Sequence, residues 1–231
     1  LMESLAPRRP RIGLPVLAQL PGRLRAQGWS AQVVLDRRHD EVLAIAAPGT
    51  PVLGVAVDLG TTKLAAYLID LRTGETLARA GAMNPQIARG EDVMSRIAYA
   101  DGGPAARGEL QRMLVDEVNR LIDELCAEAD RHREAIVDGV VVGNTAMHHL
   151  FAGLPVRQLG QAPYVAAVAS ALQIRAREIG LHLAPDATLY LPPLIAGYVG
   201  ADHVAMLLAA GAAETEETVL AIDIGTNTEI S

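Results

Sequence analysis

The sequence predicts an α/β fold on a mixed five-stranded sheet, and three observations carry that reading. Short apolar runs bounded by Gly, Asp and Thr alternate with longer stretches of helical period. One such stretch, Ala105 to Arg131, sets Leu110, Met113, Leu114, Val118, Leu121, Ile122 and Leu125 at three- and four-residue spacings. Finally, Val57-Asp58-Leu59-Gly60-Thr61-Thr62-Lys63 returns as Ile222-Asp223-Ile224-Gly225-Thr226-Asn227-Thr228, each copy preceded by small apolar residues that predict a buried strand.

In chain order, residues 1–50 carry Pro7, Pro10, Pro15, Pro21 and Pro48, a short helical pattern near Gln19 to Gln27, and strand-like runs at Ala31 to Leu35 and Glu41 to Ile45. They read as a linker and the edge of another unit. Leu53 to Asp58, Leu64 to Asp70 and Thr76 to Ala82 predict an antiparallel meander, turning at Gly60-Thr61-Thr62 and Arg72-Thr73-Gly74. Helices follow at Glu91 to Ala100 and Ala105 to Arg131. Ile136 to Val142 predicts a buried strand, Thr145 to Phe151 a helix, Ala187 to Leu191 a strand and Gly200 to Ala210 a helix; Val219 to Asp223 opens a second unit. The expected division is therefore 1–50, 51–216 and 217–231, the last being the start of a second half that the sequence leaves incomplete.

Composition narrows the chemistry. Half of the 231 residues are apolar, but only five Tyr, one Trp and one Phe are aromatic, which disfavours base stacking. A formal net charge of −7 argues against nonspecific nucleic acid or anionic membrane partners. The arginines Arg8, Arg9, Arg11, Arg23, Arg25, Arg37 and Arg38 read as a solvated face. The single cysteine, Cys126, cannot form an internal disulfide or ligate an iron–sulfur centre alone, and its setting fits a reducing cytoplasm. No apolar run reaches the ~20 residues of a membrane helix.

The duplicated loop carries the chemistry. Glycine permits a tight turn, and the exposed N–H groups of such a turn make an anion-binding nest. A carboxylate there would repel bare phosphate, so Asp58 and Asp223 make sense with Mg²⁺ between them and the anion. Gly60, Thr61, Thr62, Gly225, Thr226 and Asn227 are phosphate-binding candidates, and Lys63, the chain's only lysine, can meet phosphate or simply face solvent. Asn144, at a strand-to-helix junction, reads as a helix cap or a nucleotide contact. Asp202 reads as a helix cap. Adjacent His148 and His149 point about 100° apart on a helix and are a poor metal pair.

Two such loops facing across a cleft are the arrangement of the sugar kinase, heat-shock chaperone and actin superfamily, and the first loop resembles the opening phosphate loop of the seventy-kilodalton heat-shock proteins. The order of elements matches the ribonuclease-H-like half-domain of these ATPases. Asn84-Pro85-Gln86, Gly90-Glu91-Asp92-Val93-Met94-Ser95-Arg96-Ile97, Val142 to Leu150, Gln161-Ala162-Pro163-Tyr164 and Leu191 to Asp202 resemble, in the same order, segments of the reductive activators of corrinoid proteins. The resemblance covers about Val52 to Ser231. It implies an ATP- and Mg²⁺-dependent protein that reduces cob(II)alamin to cob(I)alamin on a corrinoid protein partner, using a 2Fe–2S domain that lies outside this chain. It implies a cytoplasmic setting and is compatible with a homodimer. A sugar- or acid-kinase-type phosphotransferase shares the loop and stays open at this point, as does a noncatalytic partner-binding module.

Overall fold

Glycine, proline and β-branched residues divide the chain into two sheets and a hairpin, and the computed structural model describes residues 9–212, 214, 218–225 and 228–231. Strands β1 (Arg11–Ile12), β2 (Gln32–Asp36) and β3 (Glu41–Ala46) form a small sheet in the order β1-β3-β2, with helix α1 (Leu14–Ala26) against β3. Helix α1 begins earlier than its sequence pattern. Pro15 sits in the first turn, where a missing N–H costs nothing, but Pro21 lies inside the helix and interrupts the periodic signal. Beyond it, Gly28 and Trp29 turn the chain at φ 60° and 64°.

The larger sheet holds β4 (Leu53–Leu59), β5 (Lys63–Asp70), β6 (Thr76–Met83), β7 (Ile136–Gly143), β8 (Leu172–Arg175) and β9 (Thr188–Leu191), in the order β6-β5-β4-β7-β9-β8. All five expected strands are present, and β8 adds a sixth at the edge. Its four residues include Gln173 and Arg175 and pair antiparallel with β9, a half-polar edge with little periodic signal. The meander β4-β5-β6 is antiparallel, whereas β4-β7 and β7-β9 are parallel.

Alternation sets the faces of this sheet. Leu53, Val55, Val57 and Leu59 of β4 and Leu64, Ala66 and Leu68 of β5 are buried, while Tyr67, Val140 and Tyr190 are exposed. The buried set joins one core cluster with Leu110, Leu114, Val118, Leu121, Ile122 and Leu125 of α3 (Pro104–Glu128) and Met147, Leu150 and Phe151 of α4 (Thr145–Phe151). Cys126 is a buried member of the same cluster. Before α3 comes α2 (Val93–Ala100), where Asp92 accepts from Ser95 N at 2.7 Å and Ser95 Oγ accepts from Asp92 N at 3.2 Å, a reciprocal cap. A last helix, α5 (Ala201–Ala209), packs on β7.

The small sheet is tied to the large one by charge. Arg38 bonds Asp36 at 3.0 Å and Asp138 at 3.0 Å, Arg23 pairs with Glu134 at 2.8 Å, and Arg175 pairs with Glu41. Arg23 and Arg38 therefore serve internal contacts as well as a solvated face. The second loop sits in a hairpin, β10 (Ile222–Ile224) with β11 (Thr228–Ile230). The expectation of a buried strand before that loop is not met: Ile222 and Ile224 are 49% and 81% exposed, because among the described residues this pair joins no larger sheet. Among the described residues no helix is long and apolar enough to cross a membrane.

Leu114 is wholly buried between α3 and the sheet, whereas Leu14 is 81% exposed. Leu114→Ala is expected to lower the unfolding free energy by about 2–5 kcal/mol in urea denaturation. Leu14→Ala should stay within about 0.5 kcal/mol of the parent. Equal effects at both sites would contradict the placement of α3.

Candidate functional site

Parallel pairing of β4 with β7 sets Leu59 opposite Gly143, so the turn after β4 and the junction before α4 leave the sheet at one edge. Ligands in α/β sheets lie at that carboxyl end. The turn closes only with glycine, because a Cβ on Gly60 would collide with the carbonyl oxygen of Lys63. Helix α5 reaches the same edge because Gly200 packs on the backbone of Gly143 and Asn144 with no room for a Cβ. Asp202 is delivered there.

Side chains fix the turn from beneath. Asn84 Nδ2 donates to Gly60 O at 2.9 Å, Arg96 Nη2 donates to Thr61 O at 2.6 Å, and Asn144 Nδ2 donates to Thr61 Oγ1 at 3.0 Å. Asn144 also accepts from Met147 N at 3.1 Å, so it caps α4 and anchors the turn at once. The cap reading of this residue is met, and its side chain also lines the cleft.

A cleft of about 460 Å³ opens above the turn. It gathers Asp58, Gly60, Thr61, Thr62, Lys63 and Asn144 from the large sheet and its loops with Asp223 and Gly225 from the hairpin. Thr226 and Asn227 lie outside the described residues. Asp202 and Glu229 complete the lining, and sequence reasoning did not place either in the site. Asp202 looked like a helix cap, but Gly200 holds the cap position and the Asp202 carboxylate accepts from His203 N at 2.9 Å. Glu229 was legible in principle. It is the antiparallel partner of Asp223, so the two-residue period of a hairpin puts both side chains on one face. A larger depression of about 560 Å³ beside Arg23, Arg131 and Arg133 lacks such a convergent set.

The carboxylates repel one another. Burial, then Asp202 and Asp223, pushes Asp58 up to about 6. Burial and Asp223 raise Asp202, and burial with Asp202 and Asp223 raises Glu229. A ring nitrogen of His203 and carboxylate oxygens of Asp223 and Glu229 lie within 4.8 Å of one another. His203 is 2% exposed; Nε2 meets Ser231 Oγ at 2.7 Å, while Nδ1 has no partner among the described residues. Mixed nitrogen and oxygen donors beside mutually repelling carboxylates fit a divalent cation. Asp58 faces this trio without joining it.

His148 and His149 are buried in α4, outside the cleft. His149 Nδ1 meets Thr145 O at 2.8 Å and Nε2 accepts from Ala167 N at 3.1 Å, and burial pushes His148 down to about 4. Their role is in the core.

Comparison with known proteins gives a consistent set of relatives. Residues 53–215 match the family described as the RACo middle region. The corrinoid activation enzyme RamQ of Eubacterium limosum is 36% identical over 181 residues, which make up 78% of this chain and 30% of that protein. A solved structure of a reductive activator for corrinoid, iron-sulfur protein matches with a TM-score of 0.86 at 33% identity, over 99% of this chain and 37% of its own. The chain thus spans roughly a third of the length of these relatives.

The raised carboxylates make a prediction about stability. A carboxyl group with a raised folded-state value keeps a proton that the unfolded chain has released, so its contribution falls as pH rises from the ordinary Asp value through about 6. Asp58→Asn removes that dependence. Its unfolding midpoint in cation-free buffer is expected to rise relative to the parent between about pH 4 and pH 7. A divalent cation should narrow the gap by stabilising the parent, and a gap independent of pH would contradict the electrostatic crowding.

Proposed function

The chain belongs to the RACo middle region family, the reductive activators of corrinoid proteins, and from that premise we propose that it forms the first nucleotide-gripping half of an ATP-dependent corrinoid activator. The observation that carries the reading is the convergence of the Asp58 turn, the Asn144 junction and the Asp223 hairpin on one cleft. In this proposal residues 51–216 are a first ribonuclease-H-like ATPase subdomain, residues 217–231 begin the second, and residues 1–50 link to what precedes them.

Each side chain has a share in binding Mg-ATP. The N–H groups of the Gly60-Thr61-Thr62 turn, with the Thr61 and Thr62 hydroxyls, bind phosphate oxygens, and Lys63, exposed at the cleft, adds a point charge. Gly225 lines the cleft, and Thr226 and Asn227, which lie outside the described residues, are kept as phosphate-binding candidates by their sequence alone. Asp58 and Asp223 would hold Mg²⁺ or its water shell, with Glu229 as a further oxygen donor, and the cation would offset the carboxylate repulsion and neutralise phosphate charge. Among the described residues no side chain in the cleft is a strong nucleophile, so hydrolysis there rests on the two loops and an oriented water.

Nucleotide energy has to reach a redox centre, and a ligand shifts an equilibrium only by binding two states differently. A cleft divided between two halves of the chain supplies two such states. Its closure around ATP is the step we propose to be coupled to reduction of cob(II)alamin to cob(I)alamin on the partner corrinoid protein. A 2Fe–2S centre elsewhere in the full-length protein supplies the electron, since buried Cys126 cannot hold one alone. A cytoplasmic location belongs to the same proposal.

Calorimetric titration of the full-length protein tests the site. Asp58→Ala is expected to weaken Mg-ATP binding by roughly tenfold or more while the fold persists, because a cleft-facing charge is removed and no core side chain is lost. Cobalt absorption spectra should show cob(I)alamin forming only with ATP and a low-potential reductant. Unchanged nucleotide affinity would sink the phosphate-loop assignment, and phosphoryl transfer to a sugar or acid without cobalt reduction would favour a kinase.

A further inference from the structure

We infer that Arg96 is a positioning residue that arms the first phosphate loop from behind, turning the Thr62 backbone amide into a strengthened anion donor beside the Thr61 amide that Asn84 orients. The inference rests on the nucleotide reading of the cleft. It concerns a side chain that touches no solvent: Arg96, on α2, is 0% exposed.

Its hydrogen bonds are unusual for a buried guanidinium. Nε donates to Gly90 O at 2.9 Å, Nη1 to Gln86 Oε1 at 3.4 Å and to Met147 Sδ at 3.3 Å, and Nη2 to Thr61 O at 2.6 Å. Every acceptor is neutral. Burying a charge with no hydrogen-bonded counterion is expensive: desolvation pulls Arg96 down to about 10, the Asp92 carboxylate opposes this only through space, and the group stays charged at neutral pH. A neutral donor would satisfy a carbonyl at lower cost, as Asn84 does for Gly60 O at 2.9 Å. Asp92 offsets part of the charge through space, and the feature that the guanidinium grips directly and that needs positive potential is the loop.

Peptide geometry transmits the effect. In a planar trans peptide the C=O and N–H point in opposite directions. The Thr61 carbonyl is turned inward to Arg96, so the N–H of Thr62 on the same peptide is directed the other way; the Gly60 carbonyl is turned inward to Asn84, which orients the N–H of Thr61 alike. Thr61 and Thr62 line the cleft. A donor on a carbonyl oxygen polarises its peptide and strengthens the N–H at its other end, most of all when that donor is charged. The cleft needs such help. Asp58, Asp202, Asp223 and Glu229 line it against the single ammonium of Lys63, so the turn must draw its positive potential from below. The ligand class is a polyphosphate anion seated on the two amides, with the cation on the carboxylate side.

The motif that carries Arg96 supplies the support. Gln86 is wholly buried and donates to Leu110 O at 2.9 Å, so it fixes the carbonyl-accepting end of the guanidinium pocket to α3. Gly90 has no room for a side chain, since a Cβ would lie 2.6 Å from Ser95 Oγ and 2.8 Å from Arg96 N.

The test compares full-length parent, Arg96→Gln and Arg96→Lys proteins by titration with Mg-ATP and with pyrophosphate, alongside steady-state ATP hydrolysis and circular dichroism. Arg96→Gln is expected to weaken both ligands by roughly tenfold or more, with the loss falling on KM rather than kcat, and Arg96→Lys to recover most of it by restoring charge. Parent protein that binds neither ligand would bring down the nucleotide reading itself. Parent binding with a folded Arg96→Gln that binds equally well overturns only the role of Arg96. Should Arg96→Gln fail to fold, Arg96→Met, which keeps the apolar stem and removes the charge, takes its place and is expected to weaken pyrophosphate about tenfold; affinity equal to the parent's in that folded variant overturns the inference.

Discussion

The parallel pairing of β4 with β7 is the constraint on which the rest depends. Parallel neighbours need a long crossover, which here runs through β5, β6, α2 and α3, and its helices bury the apolar face of the sheet. The same pairing obliges the chain to leave both strands at one edge, so the Asp58 turn and the Asn144 junction meet without any long-range design of loops. Close approach keeps it in register: a Cβ at Gly139 would lie 2.7 Å from Leu189 Cδ2 and 3.1 Å from Val55 Cγ1. Three strands interlock at that glycine.

Charge is sorted across the cleft. Carboxylates cluster toward α5 and the hairpin, and amide, hydroxyl and ammonium donors cluster on the β4–β5 turn. Neither side is balanced alone. The acidic side holds protons more tightly than free Asp or Glu, and the basic side rests on a guanidinium whose hydrogen-bond acceptors are all neutral. On the nucleotide reading proposed above, a polyphosphate with its cation would complete both at once.

Much of this was legible in the sequence because its signals are local. The apolar alternation of β4 and the three- and four-residue spacing of α3 report burial directly, and the repeated Asp-x-Gly-Thr marks two turns that the structure brings to one cleft. What was missed depends on contacts between distant segments. Asp202 enters the site only because Gly200 docks on Asn144, His203 because α5 lies near the hairpin, and Arg96 because α2 slides beneath the turn. The edge strand β8 was missed because its four half-polar residues carry almost no period, and the start of α1 because two prolines obscure it. The second strand's burial was over-read: small apolar residues announce a strand but not the layer that will cover it.

The turn after α1 has an optical consequence. Trp29, the only tryptophan, stands 71% exposed there, and neither the core cluster nor the cleft lining includes it. Its emission is set by water in the folded chain and by water again in the unfolded one, so indole fluorescence is nearly silent to collapse of the main core and to occupancy of the cleft. The tyrosines share part of that blindness, since Tyr67, Tyr164, Tyr190 and Tyr198 are exposed as well. A reporter of what this protein does in its cleft has to be built into it, or read from the ligand.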